Sequence, residues 1–444
     1  MVLLLASLGF AGAIEDFERR PTPPDPAYVG RFDRPPAFHF RVELPGPAES
    51  PIDLRFDNAP SDLGVPSSSD EPPKNGGSKL TIQPRAAATP STSHSEWTDP
   101  VIEGDAIYVG SALGQGLFAL SRRNGSTLRT YPSRASVESR PTFDGDQLYF
   151  SDTSGTTYAY DRDGTPRWVH QGRAPVVTAP TVTDGLVIVT NVDDLVVALA
   201  ANTGGLEWQY RAEPDLTRAA ELALFAAPRA IVRGTELILG FSTGAVVALD
   251  RETGEVQWRR GVGEGRYPDI VADPVILENA LFTSGYYRPL VALDLETRDV
   301  RWRIDTGAAH PIATRENPDG ERTIYLPSSD GKLLAIAGRT GEVLWTWESG
   351  TTGSLTTPVF TDAGMLVGSS EGGVYLVDPD TGLERWRWRE TWRLQGVSSL
   401  PTVDGRQLVF VSNAGNLYSM LVPERTSPLS RRHDAFGLRI PRRE

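Results

Sequence analysis

One pattern is written over and over from Trp97 onward at a period of about 43 residues, and it constrains the fold more than any other feature of the chain. The clearest copy runs from Ala227 to Trp258, APRAIVRGTELILGFSTGAVVALDRETGEVQW. A proline opens a short strand, a turn glycine follows, then a second apolar strand, a glycine turn, the segment ALDRETG and a closing tryptophan. The opening prolines are Pro100, Pro141, Pro180, Pro228, Pro274, Pro311, Pro358 and Pro401, which makes eight copies. The closing tryptophans are Trp168, Trp208, Trp258, Trp302, Trp345 and Trp386, six of the ten in the chain held in one register. Copy one has Arg129 at that place, and copy eight stops before reaching it.

Runs such as LVIVT, LILGF and MLVGS are too short for helices and are bounded by Gly, Asp and Asn, which reads as strands and hairpins. In DRETG, Asp250 suits the turn backbone and Gly254 the positive φ of a short hairpin loop. Ala248 permits close approach of neighbouring sheets, and Trp258 supplies an apolar plate between them. A four-stranded unit at this period is a β-propeller blade, so the sequence predicts an all-β, eight-bladed propeller over residues 79–423. Copy eight lacks its outer strand, which an N-terminal strand must supply. Leu80 to Gln83, in SKLTIQP, alternates and lies just before copy one, and is expected to close the ring. The alternative is FHFRVEL, Phe38 to Leu44.

Composition removes several function classes. The chain has no cysteine among its 444 residues, which excludes disulfides, a thiolate nucleophile and Cys-ligated metals. Its formal net charge of −13 argues against a sequence-independent grip on nucleic acid. Val2 to Phe10 is apolar and ends in Ala11-Gly12-Ala13, so residues 1–13 read as a signal peptide for secretion, too short to span a membrane. Nothing later approaches the length of a membrane span. Residues 14–78 hold many of the prolines and few apolar residues and read as an extended linker. Residues 424–444 read as a solvated basic tail.

The AxDxxTGxxxW core, intact from Ala248 to Trp258, is similar to the repeat of pyrroloquinoline-quinone-type propellers. Within that group the chain most resembles the BamB family of outer-membrane assembly scaffolds. The connection EGRYPDIVADP, Glu264 to Pro274, carries the sharper likeness. The resemblance implies that Arg266, Asp269 and Ile270 contact a barrel subunit, with Val271 in place of a second acid. In the preceding connection, ELALFAAP, Leu222 and Leu224 match a Leu-x-Leu pair of the family, whose following Arg is missing here. On the residues alone, Arg266 and Asp269 equally suit a mutual pair or a turn cap, and the two leucines suit the buried side of a short helix.

Two functions follow from the resemblance. The first is a non-catalytic, cofactor-free periplasmic or envelope scaffold that binds protein, with a barrel-assembly subunit as its expected partner. It has no cysteine to carry a lipid anchor. The second is a propeller that binds a quinone or other small molecule with catalytic or sensory output. The resemblance implies a vicinal cysteine pair for the quinoprotein dehydrogenases, and this chain has no cysteine. Other motifs fall within the repeat. Gly368-Ser369-Ser370-Glu371-Gly372 matches a nucleophile elbow but lies at a blade hairpin without the strand-to-helix turn that motif needs. DRDG and DPDTG are hairpin turns, GVGEG is a connection, and RWRWRETWR is an outer strand. The five histidines show no metal-binding spacing; His310 opens a blade, where it can face the central channel.

Overall fold

The computed structural model describes residues 37–44, 52–55, 79–82, 98–112, 116–212, 227–262, 268–286, 288–317, 320–389 and 396–421. The signal-peptide reading of residues 1–13, most of the linker and the tail at 424–444 lie outside them. All regular structure among the described residues is β. Eight four-stranded antiparallel sheets, one per repeat, form the blades of a propeller ring. Blade 4 shows the plan: Ile231–Arg233, Glu236–Gly240, Ala245–Asp250 and Val256–Gly261 pair in chain order from the axis outward.

Burial follows that order. The first strand of blade 4 is half-buried, the second and third are almost wholly buried, and the fourth is largely exposed. Both faces of each blade pack on neighbours, so period-two alternation sends successive side chains to opposite interfaces rather than to core and solvent. Ala106 and Tyr108 join the cluster between blades 1 and 2, whereas Ile107 and Val109 join the one between blades 8 and 1. The core is therefore a ring of apolar seams, one at each blade junction. Each third and fourth strand are offset by a bulge, as where Ala248 faces Trp258 but Leu249 faces Val256.

Two sequence expectations are corrected. The ring is closed by an N-terminal strand, but by Ala37–Glu43 rather than Leu80 to Gln83. Ala37–Glu43 pairs antiparallel with Asn416–Leu421 as the fourth strand of blade 8. Lys79–Ile82 pairs instead with Ile52–Arg55 in a separate two-stranded ribbon. The deciding contact is Phe40. It lies opposite Ser419, in the register where other blades set Trp opposite Ala, and is 9% exposed. The second correction concerns copies four and six, where Ala230 and not Pro228, and Ile312 and not Pro311, occupy the blade-opening place, since Ala313 lies opposite Tyr325 as Ile231 lies opposite Ile238. Thr181 Oγ1 donates to the Ala230 carbonyl at 2.9 Å, as Thr142 does to Pro180 at 2.7 Å and Thr402 to Pro100 at 2.6 Å.

Candidate functional site

The repeat tryptophans act between blades. The indole of Trp208 lies on the turn of blade 4, and Nε1 donates to the Arg251 carbonyl at 3.0 Å. Trp168 does the same to Ala201 at 2.8 Å and Trp302 to Gly338 at 3.2 Å. Beneath each indole is the positive-φ glycine of the next blade's turn, with a Cβ built on Gly204, Gly254, Gly341 or Gly382 falling within 2.5–2.8 Å of Trp168, Trp208, Trp302 or Trp345. Two requirements thus converge on those glycines: the backbone conformation and the neighbour's ring.

Exceptions are compensated locally. Blade 5 carries Arg298 at the glycine place, at φ 65°, and its guanidinium stacks 4.3 Å above Trp258, whose Nε1 donates to Glu236 instead. In blade 1 the stem of Arg129 lies over Gly164 and the Tyr131 hydroxyl donates to the Arg162 carbonyl at 2.7 Å. Trp386 is 4% exposed between blades 7 and 8, beside Trp388, which packs on Phe410 and Tyr418. Ser369 of the elbow-like motif is buried in a blade 7 hairpin and bonds Thr351 Oγ1 at 3.1 Å.

Of the residues matched to a partner surface, Leu222, Leu224 and Arg266 lie outside the described residues. Asp269 and Ile270 are described, and both are buried, at 3% and 4% exposure. Ile270 enters the seam between blades 4 and 5 against Gly240, and its amide donates to the Phe241 carbonyl at 3.2 Å. Val271 and Ala272 amides both donate to Ser284. The connection is therefore nailed down at its C-terminal half, with Ile270 as the nail. Beside it Val262, Pro268, Ile270, Pro289 and Val291, with Thr283 and Ser284, line a small surface notch.

A second constellation was hidden in the sequence because its residue type varies around the ring. The residue just before each blade-opening position is Asp99, Arg140, Ala179, Arg229, Asp273, Pro311, Thr357 or Leu400 in blades 1 to 8, with His310 one residue earlier on blade 6. All eight are partly accessible although they lie at the start of the innermost strands, which places them on the wall of the axial channel. Asp99 Oδ1 accepts from the Leu400 amide of blade 8 at 2.6 Å, and Asp273 Oδ1 from the Arg229 amide of blade 4 at 2.6 Å. Burial raises both carboxyl pKa values, opposed by those amides and by Arg140. Asp273 also feels Asp99, which projects from the opposite side of the ring. Burial lowers the Arg229 pKa and holds the His310 imidazole down at about 4, hence neutral at pH 7. Reading the column before the opening proline would have found this set in the six copies whose proline is in register, but not Arg229.

The family model described as outer membrane protein assembly factor BamB matches residues 130–346 and 290–435. The chain belongs to that family. It is 24% identical over 333 residues to the outer membrane protein assembly factor BamB of Burkholderia pseudomallei, covering 72% of this chain and 82% of that one. The crystal structure of BamB from Moraxella catarrhalis matches with a TM-score of 0.62 at 21% identity, over 75% of this chain and 99% of that one. A quinohemoprotein alcohol dehydrogenase from Pseudomonas putida HK5 matches with a TM-score of 0.56 at 14% identity, over 78% of this chain and 75% of that one. At such identities the structural likenesses carry the fold alone. No helix among the described residues is long and apolar enough to cross a membrane.

Proposed function

We propose that this chain is a non-catalytic, protein-binding scaffold of the periplasm that supports assembly of outer-membrane β-barrel proteins. The observation that carries the reading is the BamB-family match, which runs from the outer strand of blade 1 through blade 8. A ring of blades locked at every seam is a rigid body, and rigid scaffolds bind through the connections they present.

On this reading the partner face is formed by the two connections flanking blade 4. Ile270 and Asp269 are the buried footing of the second connection, and Arg266 is its contact with the partner. Leu222 and Leu224 supply the apolar centre from the first connection, the anatomy of a binding patch with a charged rim.

The test is affinity purification from envelope extracts with the intact chain beside an Arg266→Glu, Leu222→Asp variant. Recovery of a barrel-assembly subunit by the intact chain and its loss from the variant supports the reading. Equal recovery by both removes the named face. Failure of the intact chain to recover any such subunit refutes the function.

A further inference from the structure

The ring of side chains on the channel wall is not absorbed by a scaffold role, since it faces the axis and not the connections. Its charges are gathered but not joined. Among the described residues, no ion pair within 4.0 Å links Arg140 or Arg229 to Asp99 or Asp273, although Asp273 senses the other three. The acids are already occupied, each receiving a backbone amide from the next blade at 2.6 Å. The guanidiniums are not. Arg229 gives one Nε hydrogen bond to Thr181 Oγ1 at 3.1 Å, and Arg140 makes none to the described residues. Each guanidinium carries five N–H donors in a planar fork suited to two oxygens of one anion.

Their placement around the ring is directional. Arg140 and Arg229 stand on blades 2 and 4, separated only by Ala179 of blade 3, the smallest side chain of the ring. His310, one residue before the ring position of blade 6, is held neutral by burial and adds no charge. Two guanidiniums with unused donors on one arc of the channel wall form a receptor for negative oxygen.

We propose that the axial channel contains a binding site for a compact oxyanion, a phosphate or carboxylate group, held between the guanidiniums of Arg140 and Arg229 over Ala179. The site needs no partner protein and no redox chemistry, so it stands or falls separately from the scaffold reading. Asp99 and Asp273 act on it by fixing the two flanking blades, not by touching the anion.

The experiment is calorimetric titration of the full chain at low ionic strength with inorganic phosphate and, separately, with succinate. The expected result is saturable binding at one site per chain for at least one probe. Saturation by phosphate alone assigns a phosphate ligand, by succinate alone a carboxylate, and by both a general oxyanion site. Arg140→Gln should weaken binding about ten- to hundredfold, the loss of a charged hydrogen-bonded contact. Ala179→Leu keeps every charge but fills the gap, and should abolish binding while the melting temperature confirms a folded ring. Arg315→Gln, which breaks a rim pair with Asp380, should bind as the parent does. Absence of saturable heat with both probes, or parental affinity in Ala179→Leu, overturns the proposal.

Discussion

The clamp between neighbouring blades makes a quantitative prediction at Gly254. Its φ is +73°, and a Cβ there falls 2.5 Å from Trp208 Cε3 and 2.7 Å from Cδ2. Gly234, in the first hairpin of the same blade, has φ +59° but nothing within 4 Å of the equivalent Cβ. Gly234→Ala therefore reports the backbone term alone, about 1 kcal/mol. Gly254→Ala should add an overpacking term of about 1–3 kcal/mol, because an indole held by its bond to Arg251 has little room to retreat. Trp208→Ala should itself destabilise by about 3–5 kcal/mol. Placing Gly254→Ala in the Trp208→Ala background removes the ring it collides with, so its added effect should fall to the Gly234→Ala value. Urea midpoints followed by far-ultraviolet circular dichroism measure all of these without relying on tryptophan emission. Equal effects of the two glycine substitutions, or additivity of Trp208→Ala and Gly254→Ala within about 0.5 kcal/mol, would refute the clamp.

Closure and pH give two further tests. Deleting residues 37–44 should lower the melting temperature by several degrees and promote self-association through the bared edge at Asn416–Leu421, while deleting 79–82 should leave the transition in place; equal shifts by calorimetry would remove Ala37–Glu43 from the closing role. His310 is held at about 4 against 6.5 for the unfolded chain, so the unfolded state takes up the proton first as pH falls. Its contribution is complete above about pH 6.5 and is lost on descending toward pH 4. His310→Leu should flatten the urea midpoint across that window, leaving the smaller slope from His39 and His170, which burial shifts in the same direction.

The blades were legible in the sequence because each one must solve the same local problems. Every ALDRETG-like turn needs a positive-φ residue, a glycine everywhere but Arg298 of blade 5, and most interfaces need an aromatic plate, so both repeat visibly. The choice of closing strand was harder, since FHFRVEL and KLTIQ share the same alternation. What separates them is an interface property: Phe40 can replace the missing tryptophan over Gly125, and no residue of Lys79–Ile82 is aromatic. Pro228 misled because a proline two residues early looks like a proline in register, and the inter-blade threonine bond that marks the true position is a long-range contact. The channel ring escaped notice for the opposite reason, since its residues differ from copy to copy and a repeat is found by what stays the same. Asp269 and Ile270 were visible as a motif, but their inward orientation comes from the seam between blades 4 and 5.

His39 bonds Ser419 across a sequence separation of 380 residues, on the strand pair that completes blade 8. That pairing sets the order of events during synthesis. Seven blades can form as their residues appear, each supported by the one before, while Ala37–Glu43 waits without its partner strand. Only when Asn416–Leu421 has been made can the circle become continuous, and loop closure over that distance is slow compared with the local hairpins. Until that moment the chain is an arc with two unsatisfied ends, and its last step of folding is also the step that seals its axial channel.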